Sequence, residues 1–129
     1  MIVLGMADQW SPAETSTHQD HVIAHVIGAT PVGHFVWDET AYIVLDIGFI
    51  WNIYLDMEMG LVPERMALSE LDVDPELLEK TSVECGPIES VELYEDGQER
   101  RLVLNCETDP LLIESSLSHR WIRVHPWLN

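Results

Sequence analysis

His18, His21 and His25 follow one another at steps of three and four, and Glu14 precedes them by four. At 100° per residue a helix would hold these four side chains in one row, within an arc of about 60°. Imidazoles one turn apart can chelate zinc, nickel or copper, and a carboxylate can take a further position. A single straight helix cannot wrap three imidazoles around one tetrahedral ion, because residues seven apart lie ~10 Å apart along its axis. A divalent-metal site on this row therefore needs ligands from elsewhere, with His34 and Asp38 as candidates. The competing reading is a polar helix face that happens to be rich in histidine. The row lies away from the apolar arc of Val22, Ile23, Val26 and Ile27, so it should face solvent or a neighbouring subunit.

Asp46 and Asn52 interrupt an apolar run from Ala41 to Leu55. A polar group on an apolar strand is costly unless it is hydrogen-bonded or faces a cavity. With Tyr42 and Tyr54 alongside, the four make a candidate polar floor for a small-ligand pocket; a partly solvated strand face is the simpler explanation. Cys85 and Cys106 form no C-x-x-C pair and read as free thiols. A Cys–His nucleophile would need His119 or His125 in reach, and no local motif supports it. Phosphate-binding glycine loops, the nucleophile elbow, the H-E-x-x-H metal motif and the calcium loop are all absent from the sequence. Catalysis is therefore not the expectation, and no obligatory cofactor is implied beyond a possible divalent metal.

The 129 residues carry 6 Lys and Arg against 23 Asp and Glu, a formal charge of −17. Residues 1–64 hold no Lys or Arg, nine acids and four of the six histidines. Those imidazoles are the only side chains there able to become cationic near neutral pH. The field repels nucleic acid and anionic membrane and attracts basic protein surfaces. The run from Ala41 to Leu55 falls short of the ~20 residues that span a bilayer. Met1–Ala7 lacks the basic start of a secretory signal, so a cytoplasmic protein is expected.

The elements that must position these residues follow from periodicity. Ser11-Pro12 followed by Glu14 has the form of a capping box, predicting a helix from about residue 12 to Ile27, with Gly28 as its stop. From Ala41 to Leu55 every odd residue is apolar, a strand period of two. Fifteen extended residues would exceed a domain of this size, so a break is expected at Ile47-Gly48, as a bulge rather than a tight hairpin. A strand near 33–37 precedes it, joined through Asp38-Glu39-Thr40. Asp74-Pro75 opens a short helix through Thr81, while residues 64–71 fit helix or loop. Asp96-Gly97 marks a hairpin. If these two are the turn, Val91 faces Leu102, Leu93 faces Arg100 and Glu92 faces Arg101, with Val91, Leu93, Leu102 and Leu104 toward the core. Leu111–Ser115 and Trp121–His125 complete the strands.

Together these predict a single α+β domain over 1–129, with residues 1–10 as an N-terminal extension. An N-terminal helix packs on a bent, mostly antiparallel sheet of about six strands, with one short helix in the middle connection. The expected function is that of a small acidic interaction protein, of inhibitor, immunity-type or accessory kind, facing a basic protein partner. A homo-oligomer is the other expected partner state. The alternative is a small-ligand- or metal-binding enzyme using the histidine row or the Asp46/Asn52 cavity.

Overall fold

The computed structural model describes residues 10–71, 74, 76 and 79–126. In chain order the elements are β1 (Ser11–Pro12), α1 (Thr17–Val26), β2 (Pro31–Trp37), β3 (Thr40–Leu45), β4 (Phe49–Tyr54), β5 (Met59–Pro63), α2 (Glu64–Glu70), β6 (Thr81–Ser82), β7 (Ile88–Asp96), β8 (Glu99–Cys106), β9 (Leu111–Ser116) and β10 (Trp121–Pro126). The strands form two antiparallel five-stranded sheets, one in the order β1-β7-β8-β9-β10 and the other β5-β4-β3-β2-β6. The expected helix on a single six-stranded sheet is therefore wrong. Each sheet turns an apolar face inward, and the two faces bury each other. Ala41, Ile43, Leu45, Trp51 and Ile53 of the second sheet meet Leu93, Leu102, Leu104 and Ile113 of the first in one core.

The run from Ala41 to Leu55 is two strands, β3 and β4, paired through Thr40↔Tyr54 and Val44↔Ile50. The break falls where the sequence places it, but it is a hairpin rather than a bulge. A three-residue loop, Asp46-Ile47-Gly48, closes it, and only Gly48 has positive φ, at 79°. A loop of three with glycine in the left-handed place avoids putting Ile47 there. Because the loop preserves parity, the odd residues of both strands point into the core.

Helix α1 starts later than the capping pattern suggested. Ser11-Pro12 is strand, opposite Glu95 and Tyr94. The cap is Ser16, whose Oγ accepts the Gln19 N–H at 3.1 Å while Gln19 Oε1 accepts the Ser16 N–H at 2.8 Å. Two capping boxes were written into the sequence, and pairing of β1 with the β7 edge selects the second. Gly28, at φ 90°, follows the helix as expected. Gln19 is buried and donates to the Met57 carbonyl at 2.7 Å, tying α1 to the chain just before β5.

The β7–β8 hairpin turns through Gly97-Gln98, not Asp96-Gly97, and pairs Val91 with Leu104 and Leu93 with Leu102. This shifts partners by two residues, so the core face is as predicted. Glu92 instead faces Val103, and Arg101 faces Glu114 on β9. A bulge between Ile88 and Ser90 sets Cys106 opposite Ile88. Residues 64–70 are helix α2, whose Ala67 packs with Phe35, Val44 and Ile50 on the outer face of the second sheet. Of the helix expected from Asp74, residues 75, 77 and 78 lie outside the described residues; its expected end, Thr81, belongs to β6.

Candidate functional site

Four turns meet at one end of the sandwich: β2–β3, β4–β5, β7–β8 and β9–β10. The Leu117 N–H donates to the Gln98 carbonyl at 2.9 Å, and the Ser115 hydroxyl donates to the Leu55 carbonyl at 2.6 Å, which locks three of the turns together. Asp38 and Glu39 form the β2–β3 turn, both at positive φ (49° and 63°). Met57 and Arg120, the other non-glycine residues at positive φ among those described, lie in the β4–β5 and β9–β10 turns. Such backbone is uncommon for side chains with a Cβ and often marks functional segments.

Two clefts open at this hairpin end. The larger, about 530 Å³, runs between the lead-in to α1, the β4–β5 turn and β7, and is lined by Glu14, Asp56, Glu58 and Glu95 with Arg100. The second, about 350 Å³, lies between the β2–β3 turn and Arg120 and shares Asp56; Asp38, Glu39 and Tyr54 form its walls. Glu39 holds Arg120 through two bonds, at 2.7 and 3.0 Å, and Arg100 reaches Glu95 at 3.7 Å. Six carboxylates less two arginines leaves four. Among the described residues, none of Glu14, Asp38, Asp56 and Glu58 is in an ion pair.

Two further arginines, Arg101 and Arg123, are engaged on the outer face of the first sheet. Glu114 is the one buried carboxylate among the described residues. Arg101 approaches its Oε2 at 2.6 and 2.7 Å, and His125 Nε2 and Arg123 Nη2 approach Oε1 at 2.6 and 3.1 Å. Arg101 also lies 4.3 Å above the Trp10 ring, and Arg123 4.8 Å above Trp121. Burial alone would raise the Glu114 carboxyl, but the bonds from His125, Arg101 and Arg123 outweigh it and hold the acid below its ordinary value. The candidates read from the sequence do not include this cluster, although Glu114 within the apolar run Leu111–Ser115 is a signal of the same kind as Asn52 in β4. Pairing Arg101 with Glu92 hid it.

The predicted site residues are scattered. His18, His21 and His25 are exposed on α1 and line a groove of about 560 Å³ with Ile47, Phe49 and Leu61. Glu14 precedes the helix and turns to the acidic cleft instead. His34 lies on β2 opposite Ile43, buried, its imidazole pushed below the ordinary value by desolvation. Among the described residues no three His, Cys, Asp or Glu side chains are placed to share one metal ion. Tyr42, Asn52 and Tyr54 do share the outer face of the second sheet, Tyr42 opposite Asn52 and stacked on Phe35 at 4.7 Å. Asn52 Oδ1 is buried there with no hydrogen-bond partner among the described residues. Asp46 is not with them. It sits in the β3–β4 loop, where its Oδ1 accepts the Thr30 N–H at 2.9 Å and its N–H donates to the Thr30 carbonyl.

No helix among the described residues is long and apolar enough to cross a membrane. Compared with known proteins, the chain matches no family model, no curated protein and no solved structure.

Proposed function

We propose that this chain is a non-catalytic binding protein whose hairpin end receives a basic protein partner. The observation that carries this reading is the separation of charge. Four of the six Lys and Arg residues, Arg100, Arg101, Arg120 and Arg123, are engaged by the chain's own carboxylates. Among the described residues Glu14, Asp38, Asp56 and Glu58 form no ion pair, and they line two adjoining clefts. Concave surfaces of one sign focus the field and raise the on-rate of an oppositely charged partner by about 10–10³. Ser115 ties down the turn that carries Asp56 and Glu58, and Arg120 ties down the turn that carries Asp38, so less order is lost there when a partner docks.

The test uses a compact basic protein of high pI as probe, with binding followed by surface plasmon resonance. Raising salt from low to above physiological strength should slow association steeply and change dissociation little. Association that is weak at low salt, or insensitive to salt, would contradict the reading.

A further inference from the structure

His21 and His25 stand one turn apart on the exposed side of α1, their rings stacked with centroids 6.5 Å apart and 21° between planes. The His25 Nδ1–H donates to the His21 carbonyl at 2.8 Å, which leaves the Nε2 lone pair directed outward. A carbonyl on the far ring nitrogen is the usual support for a metal-binding imidazole. His18 is occupied differently: its Nε2 bonds the Met59 carbonyl at 2.9 Å, anchoring the helix to β5. A tetrahedral ion ~2.1 Å from both Nε2 atoms would draw the two rings to about 5 Å apart, a change in side-chain torsions on an exposed face.

Among the described residues one chain supplies these two ligands and no third. Glu14 lies outside the helix, and His34 is three strands from β5 within the second sheet, about 14 Å away. A tetrahedral ion takes four. The groove beside the pair is the surface on which a second copy would bring the others. Its walls, Val22, Ile47, Phe49 and Leu61 with the three histidines, carry no carboxylate, although the chain has 23. On a surface of charge −17 the groove itself is free of acid, and Asp46 and Glu64 lie at its edge beside the Ile47-Gly48 loop. Ile47, in its wall, is 46% exposed. A two-fold axis through the ion would present His21 and His25 twice and cover this apolar rim.

We infer that His21 and His25 are half of a transition-metal site that a second copy of this chain completes, one divalent ion of zinc type joining two chains. The site lies on the flank of α1 and leaves the hairpin end open, so it stands or falls independently of the basic-partner reading.

Tag-free protein is titrated with zinc chloride and followed by calorimetry and sedimentation velocity. The expected result is a monomer in chelator, one zinc bound per two chains, and a doubled mass with zinc. Cobalt in place of zinc should give the visible absorption of a tetrahedral nitrogen site. H21A/H25A should lose both the metal and the dimer. H18A should keep both, because its ring is engaged elsewhere. A zinc complex that stays monomeric, a dimer that persists in chelator or in H21A/H25A, or a loss in H18A equal to that in H21A/H25A would each overturn the assignment.

Discussion

Replacing Glu114 with Gln tests whether the carboxylate organises the outer face of the first sheet. Glutamine keeps the shape but carries no charge, and its amide nitrogen would face cation donors. Glu114 receives bonds from two arginines and one histidine, and its side chain is only 8% exposed. Removing one partner from a buried pair costs roughly 3–5 kcal/mol. Arg123 is 63% exposed and His125 35%, so water offsets part of the loss. We expect Glu114→Gln to cost about 2–3 kcal/mol near neutral pH. For a chain of this length that is a fall in Tm of about 7–11 °C. Arg101→Ala should cost more than Arg123→Ala, since Arg101 is the better buried and carries the closer bonds. The pH dependence follows from the lowered carboxyl of Glu114. Its contribution is fully present above the ordinary carboxylate range and is lost as pH falls through the folded value. Urea denaturation of both proteins should therefore show a constant gap from pH 7 to about 5 that closes below about 4. A gap under about 0.5 kcal/mol at pH 7, or one unchanged in strong acid, would refute the reasoning.

Three further outcomes follow from other parts of the fold. Ser16→Ala should cost about 1 kcal/mol in urea denaturation and Ser11→Ala under about 0.5, because only Ser16 caps α1; equal losses would contradict that assignment. The lowered imidazole of His34 means the unfolded chain binds its proton first, so stability should fall as pH drops from about 6.5 toward the folded value. His34→Leu should flatten that slope, and a variant with the wild-type slope would remove His34 as its source. Burial, and then the neighbouring Cys85, pushes the Cys106 thiol up to about 12. Ellman's reagent at pH 8 should modify Cys106 only after denaturation; rapid modification of Cys106 in the folded chain would contradict this.

The strands were legible where one face is continuous core. Alternation from Ala41 to Leu55 and around Val91 and Leu102 identified the buried residues even where the turns were misplaced, because a slip of two leaves every side chain on its own face. What alternation cannot show is which second surface those faces meet. Strands of two residues, β1 and β6, have no period to read, and β5 contains Gly60 and Pro63, which the sequence rules assign to loops. Without them the chain counts as one sheet. The candidate site residues are brought together only in part, for a related reason. Glu14, His18, His21 and His25 are neighbours on an ideal helix, but the helix begins at Thr17. The acids of the hairpin end come from turns and a lead-in segment distant in sequence, and in a chain with 23 acids none stands out before the fold gathers them.

The most direct measurement compares two charge-matched variants against the same basic protein probe at low salt. One carries Glu14→Gln, Asp38→Asn, Asp56→Asn and Glu58→Gln at the hairpin end. The other carries Glu84→Gln, Glu89→Gln, Glu107→Gln and Asp109→Asn, away from it. Each moves the formal charge from −17 by four, to −13. If the hairpin end is the receiving surface, association slows at least about tenfold in the first and stays near wild type in the second. Equal slowing in both would mean that only net charge attracts the probe, and the hairpin end would lose its role.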